Sequence, residues 1–397
     1  MPFPDSVPTL TDGVVRLRAH AKRDVDRIVE QCRDPQSLRW TSVPRDYTRE
    51  MAQEWLGVIA DGWDAEDGSA NKLWAIEEVA DETGAFSGTI DLRPREAGRA
   101  EIGFGLHPDA RNRGLMVRAL RLVQHWWFEQ GGQRVDWYAE RGNFASWAVA
   151  RAAGYTFVAT LPEHIAHGEG GLADAWFATL GRDDDGEPTE PWFQPPILVA
   201  DGIRLRPWTD DDAEFVEEPD HAPHHVPDRA IPRPDTFAEW LLKRRENLSR
   251  GIGYNWCIAD AETDRPLGDV CLFGFDTGRD GVSGSGELGY VLFPSARGRG
   301  AASTAARLVS DWALAPVAEA GLGLDRLTAV TASDNAPSNR ILETLGFTRW
   351  GHEAQATAPD GSIGPADHWE KLGPARPQPS NWVSSGHGPT VPNRPIG

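Results

Sequence analysis

The sequence predicts two tandem copies of one α/β or α+β fold, with helices packed on a sheet. Three observations predict it. Five short segments recur in the same order at a nearly constant spacing. Strand-like and helix-like stretches alternate in the same sequence within each copy. The 397 residues are 40% apolar and 25% charged, the composition of a globular chain with length for two or three domains.

The repeat is read directly from the residues. Asp12-Gly13-Val14-Val15-Arg16-Leu17-Arg18 matches Asp201-Gly202-Ile203-Arg204-Leu205-Arg206. Ala100-Glu101-Ile102-Gly103-Phe104 matches Gly286-Glu287-Leu288-Gly289-Tyr290, and Arg111-Asn112-Arg113-Gly114 matches Arg297-Gly298-Arg299-Gly300. Asn143-Phe144-Ala145-Ser146 matches Asn335-Ala336-Pro337-Ser338, and Gly154-Tyr155 matches Gly346-Phe347. The expected domains are 1–182 and 197–374. They are joined by an acidic, turn-rich linker over 183–196 and followed by a Pro/Gly/Ser/Asn-rich tail over 375–397, read as disordered or draped on the surface.

Each copy opens with a short strand (13–18; 202–206). Acidic helical segments follow, such as 236–249, where Phe237, Trp240, Leu241 and Leu242 fall on a helical period. Two strands come next (73–79 and 84–92; 254–260 and 267–274), then a third (100–106; 286–293). A Gly/Arg-rich turn leads into a long helix (112–130; 299–319), a strand (134–139; 325–331) and a second helix (144–153; 336–345).

Composition excludes several classes. Cys32, Cys257 and Cys271 are scattered without a CxxC pair, so neither a zinc site nor a disulfide framework is indicated. Cys257 and Cys271 fall on predicted strands and read as core residues. The formal charge of −20 opposes nucleic-acid binding. No apolar run reaches membrane-spanning length, and MPFPDSVPTLTDG lacks a basic n-region and an apolar h-region, so a signal peptide is not expected. A reducing cytoplasm is the expected location. The 17 tryptophans are expected in cores and pocket walls.

The chemistry concentrates at Phe293-Pro294-Ser295-Ala296-Arg297-Gly298-Arg299-Gly300-Ala301-Ala302, where a strand turns into a helix. The first N–H groups of a helix lack intrahelical partners. Two glycines let a ligand approach the main chain, and the helix dipole with Arg297 and Arg299 favours an anion such as a pyrophosphate. No Gly-Lys-Ser/Thr follows and no GxGxxG is present, so this is neither a P-loop nor a dinucleotide fingerprint.

Gly286-Glu287-Leu288-Gly289-Tyr290-Val291-Leu292-Phe293 leading into this loop, followed by Asn335-x-x-Ser338 and Gly346-Phe347, resembles the GNAT (general N-acetyltransferase) superfamily, most closely its RimJ/RimL-like branch. The resemblance covers both copies. It implies an α+β, three-layer α/β architecture in which each domain is a mixed, splayed sheet flanked by helices. Acetyl-CoA would be the cosubstrate, lying in the V between two central strands, with no metal. In the second copy the cofactor would contact Val291, Leu292, Phe293, Arg297, Gly298, Arg299, Gly300, Ala301, Ala302 and Asn335. In the first it would contact Leu106, Arg111, Asn112, Arg113, Gly114, Leu115, Met116 and Asn143.

The resemblance also places candidate catalytic groups. Glu287 and Glu101 occupy a strand position where many such enzymes hold a carboxylate; each is either the base that takes the amine proton or a solvated or salt-bridged strand residue. The helix tyrosine that protonates the CoA thiolate in many relatives is absent, since Leu342 and Ala150 hold its place. Ser338 and Ser146 stand as acids or thiol-binding groups, or as residues of a helix N-terminal turn. Asn335 and Asn143 are caps, pantetheine ligands, or both. In the first copy Met116 replaces a small residue and Asn112 replaces Gly298, so these side chains either crowd the phosphates or point away.

His221, His224 and His225 share a Pro-rich loop, read as a polar wall of the acceptor pocket rather than a metal site. The expected reaction is direct attack of a primary amine on acetyl-CoA in a ternary complex. The acceptor is a small molecule, an antibiotic or a protein N-terminus, and the protein is a monomer or homodimer without nucleic-acid or membrane partners. The alternatives are acetylation of an amino-sugar conjugate, as in the tandem mycothiol synthases, and a non-catalytic CoA-binding or sensing role for one or both copies.

Overall fold

Apolar alternation and the two Gly/Arg turns organise the chain as the repeat requires. The computed structural model describes residues 6–64, 70–167, 170–277 and 284–374, so the tail expected over 375–397 lies outside the described residues. The chain divides into two units. One holds the residues up to Trp192 with Ser249–Gly251; the other holds Phe193–Leu248 and the residues from Ile252 on.

In the first unit an eight-stranded sheet runs β1-β2-β3-β4-β5-β6-β8-β7. The strands are β1 (Leu10–Thr11), β2 (Val15–Arg18), β3 (Lys72–Glu78), β4 (Phe86–Pro94), β5 (Arg99–Leu106), β6 (Arg134–Glu140), β7 (Thr156–Ala166) and β8 (Leu172–Gly181). The helices are α1 (Val25–Arg33), α2 (Pro35–Trp40), α3 (Arg49–Asp64), α4 (Leu115–Glu129) and α5 (Phe144–Ala152). Only β5 and β6 pair in parallel; the other neighbours are antiparallel.

The second unit repeats this order. Its strands are β9 (Leu198–Ala200), β10 (Ile203–Arg206), β11 (Tyr254–Asp260), β12 (Pro266–Thr277), β13 (Gly284–Leu292), β14 (Arg326–Ala332), β15 (Thr348–Thr357) and β16 (Ile363–Leu372). Its helices are α6 (Phe237–Ser249), α7 (Ala301–Leu314) and α8 (Ala336–Thr344). The parallel pair is β13 with β14. Both sheets are therefore mixed and flanked by helices, the α+β architecture expected.

Local chemistry explains the elements. β11 is buried at six consecutive positions, as befits a strand covered on both faces. α7 lays Ala301, Ala302, Ala305, Ala306, Val309 and Ala313 on the sheet, a small-residue stripe at helical spacing that allows close approach. α4 uses Leu115, Met116, Ala119, Leu120, Val123 and Trp127 in the same role.

Three expectations are corrected. The long helices begin at Leu115 and Ala301, because Gly114 (φ 72°) and Gly300 (φ 79°) are left-handed N-caps outside the helix. The second ends at Leu314 rather than 319, because Pro316 cannot continue it. The segment read as a linker also contributes to packing: Trp192 rests against the first core and Phe193 against the second.

Candidate active site

A splay in each sheet creates the site. In the second unit, parallel pairing stops at Glu287↔Thr328, while β13 continues to Leu292 and β14 to Ala332. The unpaired stretches open onto a cavity of about 1200 Å³. That exceeds the roughly 300–1,000 Å³ of an ordinary small-molecule pocket, leaving room for two substrates. Its floor runs from Glu287 to Val291, and Ser338 and Asn335 stand at the start of α8.

The backbone of β13 assigns its donors. The N–H of Phe293 donates to the Leu267 carbonyl at 2.8 Å, so Phe293 faces β12. By strand alternation, the main-chain groups of Leu292 and Tyr290 face the splay and those of Val291 face β12. Of Val291, Leu292 and Phe293, then, only Leu292 presents its N–H to the cleft. Phe293 also buries its ring with Trp208, Phe237 and Trp240. Val291 nonetheless lines the cavity. In the first unit His107 donates to Ser87 in the same way, which leaves Leu106 facing its splay.

The Gly/Arg loop is open where an anion would rest. Gly298 (φ 76°) and Gly300 both lie in the left-handed region, and a Cβ on either would meet nothing within 4 Å. No side chain caps α7, so its first N–H groups point into open space. Arg299 is exposed, and Arg297 is held by Asp220 at 2.5 Å and His221 at 3.2 Å. This uncapped N-terminus and bare cradle fit a pyrophosphate. The loop stands outside the cavity wall described above, and Ala301 and Ala302 bury their side chains, offering main chain only.

The first-unit loop keeps the same backbone. Asn112 takes the left-handed conformation (φ 59°) in place of Gly298. Met116 and Leu115 are buried in the core, so Met116 points away from the phosphate side. Arg111, however, is paired with Asp34 at 2.6 Å, and Arg113 with Glu78.

The two carboxylates differ sharply. Glu101 is clamped by Arg93 at 2.6 Å and Arg95 at 2.9 Å, so in this unit the salt-bridged reading holds. Glu287 makes no hydrogen bond or ion pair among the described residues. Burial pushes its carboxyl above the ordinary glutamate range, opposed in part by His368. The cause lies in register. Arg93 is the β4 partner of Glu101, whereas Phe273 is the β12 partner of Glu287.

The serines differ too. Ser146 Oγ accepts from Trp137 Nε1 at 3.1 Å. Ser338 Oγ has no such partner among the described residues, because Ala329 stands on β14 where Trp137 stands on β6. Asn335 and Asn143 are helix caps, accepting from the N–H of Ser338 (3.3 Å) and Ser146 (3.1 Å). Leu342, at the position of the absent tyrosine, is fully buried.

Tyr290 was missed in the sequence. Its hydroxyl donates to the Ser338 carbonyl at 3.4 Å in the cavity wall, and burial pushes its pKa up to about 12. The available signal was the repeat itself, which pairs Tyr290 with Phe104. Cys271 is likewise corrected from core to cavity wall, with its thiol pushed up to about 12 by burial. Cys257 is buried as expected, and Trp147 is a core residue.

The histidine loop crosses the cleft. At one end Asp220 and His221 hold Arg297; at the other His224 and His225 meet the two oxygens of Asp334 at 2.9 and 3.0 Å. These imidazoles hold the Asp334 carboxyl below the ordinary aspartate range. His224 and His225 line the cavity, as a lid over the acceptor would.

Comparison with known proteins places this geometry. The acetyltransferase (GNAT) domain model matches residues 15–156 and again 203–348, most of the chain. The chain belongs to the GNAT acetyltransferase family, in two copies. It is thereby an acetyl-CoA-dependent acyltransferase. It is 29% identical over 166 residues to the uncharacterized N-acetyltransferase YoaA of Bacillus subtilis (strain 168), covering 39% of this chain and 85% of that protein. Among solved structures it is similar to RimL, a ribosomal-protein alpha-N-acetyltransferase in complex with coenzyme A (18% identity, TM-score 0.39, 45% of this chain and 99% of that one). It is also similar to Mycobacterium smegmatis RimJ in complex with CoA-disulfide (17% identity, TM-score 0.38, 45% and 89%). Among the described residues no helix is long and apolar enough to cross a membrane.

Proposed function

We propose that the second unit transfers an acetyl group from acetyl-CoA to a primary amine by direct attack, and that the first unit is not a catalyst of this reaction. The observation that carries this reading is the contrast between Glu287, unpaired in a cavity with a raised pKa, and Glu101, neutralised by two guanidinium groups.

Acetyl-CoA supplies the acyl group as a thioester. Arg297, Arg299 and the main chain of Gly298 to Ala302 hold its phosphates. The N–H groups of Leu292 and Tyr290 face the splay, where they stabilise charge on the thioester oxygen. A free alkyl ammonium has a pKa of about 10.4, so attack at neutral pH requires proton removal. Glu287 accepts that proton, directly or through a water. As the C–N bond forms and the C–S bond breaks, the sulfur takes a proton from the Tyr290 phenol, which its raised pKa keeps protonated at neutral pH. Ser338 Oγ lies at the same end of the cleft and binds the sulfur. The nitrogen gives up two protons in forming the amide: the first passes through Glu287 to solvent and the second returns through water to the Tyr290 phenolate, so ammonium and acetyl-CoA give amide, CoA thiol and one released proton with no covalent enzyme intermediate.

The test is thiol release from acetyl-CoA with a panel of primary amines, using wild type, Glu287→Gln and Glu101→Gln. Release that depends on Glu287 and survives loss of Glu101 is expected. Tight CoA binding without release on any amine would favour the binding-module reading. Release abolished only by Glu101→Gln would reverse the assignment of the two units.

A further inference from the structure

The second unit carries an ion pair in its cavity wall that the fold does not need. Asp269 on β12 is 2% exposed and accepts from Trp208 Nε1 at 2.8 Å and from Arg244 at 3.3 Å. Arg244 on α6 also donates to the Ala230 carbonyl at 3.0 Å, and its guanidinium lies 4.9 Å from the centre of the Trp240 ring. Burial raises the Asp269 pKa, and Arg244 opposes the rise.

The first unit shows what the scaffold does without this pair. A Glu-Trp-Leu triplet occurs at 54–56 and at 239–241, which puts Ile59 where the second unit has Arg244. Thr89 is the β4 partner of Gly105, the position of Asp269 opposite Val291. There His20 meets Thr89 at 3.0 Å, as Trp208 meets Asp269. Taking an ion pair out of water is expensive, and apolar replacements are often neutral or stabilising. A pair present in only one of two like scaffolds is therefore not explained by stability.

The surroundings indicate what it binds. Arg244 lines the cavity with its Nε unpartnered among the described residues. Lys243 and Arg229 line the same cavity and are exposed. Three cationic side chains line one cavity of a chain with a formal charge of −20, Lys243 among them being paired also with Glu246 at 3.2 Å. Most carboxylates that would oppose an anion there are engaged: Asp334 by His224 and His225, Glu353 by His368 at 3.4 Å, and Asp269 by Arg244. Glu287 remains for the amine.

We infer that the acceptor is an anionic amine, a primary amine that also bears a carboxylate or phosphate, and that Arg244 binds its anionic group with Arg229 and Lys243 beside it. A guanidinium already fixed by an aromatic face and two acceptors loses little freedom on binding and matches both oxyanions. The inference rests on acetyl transfer occurring in the second unit.

Matched acceptors test it on the full-length protein: β-alanine against β-alaninamide for carboxylate, and aminoethyl phosphate against ethanolamine for phosphate. At least one anionic member should exceed its neutral partner tenfold or more in kcat/KM, and Arg244→Gln should bring that ratio near one while CoA affinity stays within twofold. The pair showing the preference identifies the anion. Equal use of neutral and anionic members, or a preference that survives Arg244→Gln, overturns the inference while leaving acetyl transfer intact.

If no amine is turned over, the transfer reading itself fails, and calorimetry on the CoA-saturated protein still decides the anion. N-acetyl-β-alanine or N-acetylaminoethyl phosphate should bind at least tenfold tighter than N-acetylethanolamine; equal or absent binding overturns the inference. Should Arg244→Gln misfold by stranding Asp269, the exposed pair Arg229→Gln/Lys243→Gln replaces it. A preference reduced threefold or more then supports the inference, and an unchanged one overturns it.

Discussion

Replacing Phe273 by Arg should rebuild in the second unit the clamp that pairs the carboxylate of the first. Phe273 and Glu287 are direct partners across β12 and β13, as Arg93 and Glu101 are across β4 and β5, where the ion pair measures 2.6 Å. Phe273 is 40% exposed, so a guanidinium can be housed without repacking a core. Two unit charges about 4 Å apart interact by ~1 kcal/mol in water and ~4 kcal/mol at the effective dielectric near a protein surface. A half-buried pair lies between these limits, which corresponds to a fall of about one to three pKa units. Burial holds Glu287 above the ordinary range, so the arginine pulls it back toward that range or below it. A base acts when deprotonated, so the acidic limb of the kcat/KM profile for thiol release should move down by about one to three pH units, while the plateau falls because the base is weaker. A 13C NMR titration of the glutamate carboxyls follows the same group without any acceptor. If the NMR pKa falls and the kinetic limb stays, Glu287 is not the base. If the carboxyl pKa is unmoved in a folded variant, the cross-strand contact has been misread.

Other outcomes follow from the same residues. Glu287→Gln should lower kcat by about 10²–10⁴ with little change in CoA affinity. Because the folded pKa of Glu287 is raised, its ionisation costs stability as pH rises from the ordinary glutamate value through the raised one. The Gln variant should therefore melt higher than wild type above that window and equally below it, by calorimetry; an advantage at low pH would refute this. Tyr290→Phe installs the first unit's residue and should cut the rate by about 10² or more without weakening CoA, if the phenol supplies the thiol proton; a full rate would return that role to Ser338. Gly298→Asn should change CoA affinity little, since Asn112 already holds the left-handed conformation, whereas Gly300→Glu should weaken it at least tenfold by setting charge against the phosphates. Titration calorimetry separates the two.

The fold was legible because its signals are local and repeated. Strand alternation and the Gly/Arg turn ahead of each long helix are written in consecutive residues, and each appears twice. The loop at 297–302 was legible as a strand-to-helix turn for the same reason, and the anion site proposed there lies in backbone that glycine leaves bare. Helix starts were misplaced because Arg-Gly-Arg-Gly reads as a helical approach until Gly300 is known to be left-handed. The catalytic reading was only partly visible. Glu101 and Glu287 look alike in sequence, and their difference lies eight and fourteen residues upstream, at Arg93 and Phe273, brought opposite by strand register. The direction of the Phe293 N–H, bonded to Leu267 on the neighbouring strand, was not visible either. The pairing of Arg244 with Asp269 joins a helix to a strand and carries no local signature.

One exchange shows how two copies of a fold part company without losing it. On the strand beside the splay and on its neighbour, the first unit has Trp137 opposite Ala178, and the second has Ala329 opposite Trp369. All four are buried. The pair keeps one indole and one methyl, so core volume is conserved, the kind of swap cores tolerate best. What changes is which strand carries the bulk. Trp137 lies beside the splay with its Nε1 on Ser146, whereas Trp369 lies one strand farther away with its Nε1 on Thr331 at 2.9 Å. The second unit thereby places a methyl beside its splay, leaving room for a ligand and a free hydroxyl on Ser338. Glu101 follows the same logic, because a carboxylate clamped by Arg93 and Arg95 no longer needs the cavity that raises the pKa of Glu287. A copy that does not catalyse, as we propose for the first unit, can pair its charges and fill the space beside its splay with an indole, gaining complementarity that an active site must forgo. Each of these differences at the cleft favours the proposed assignment of catalysis to the second unit.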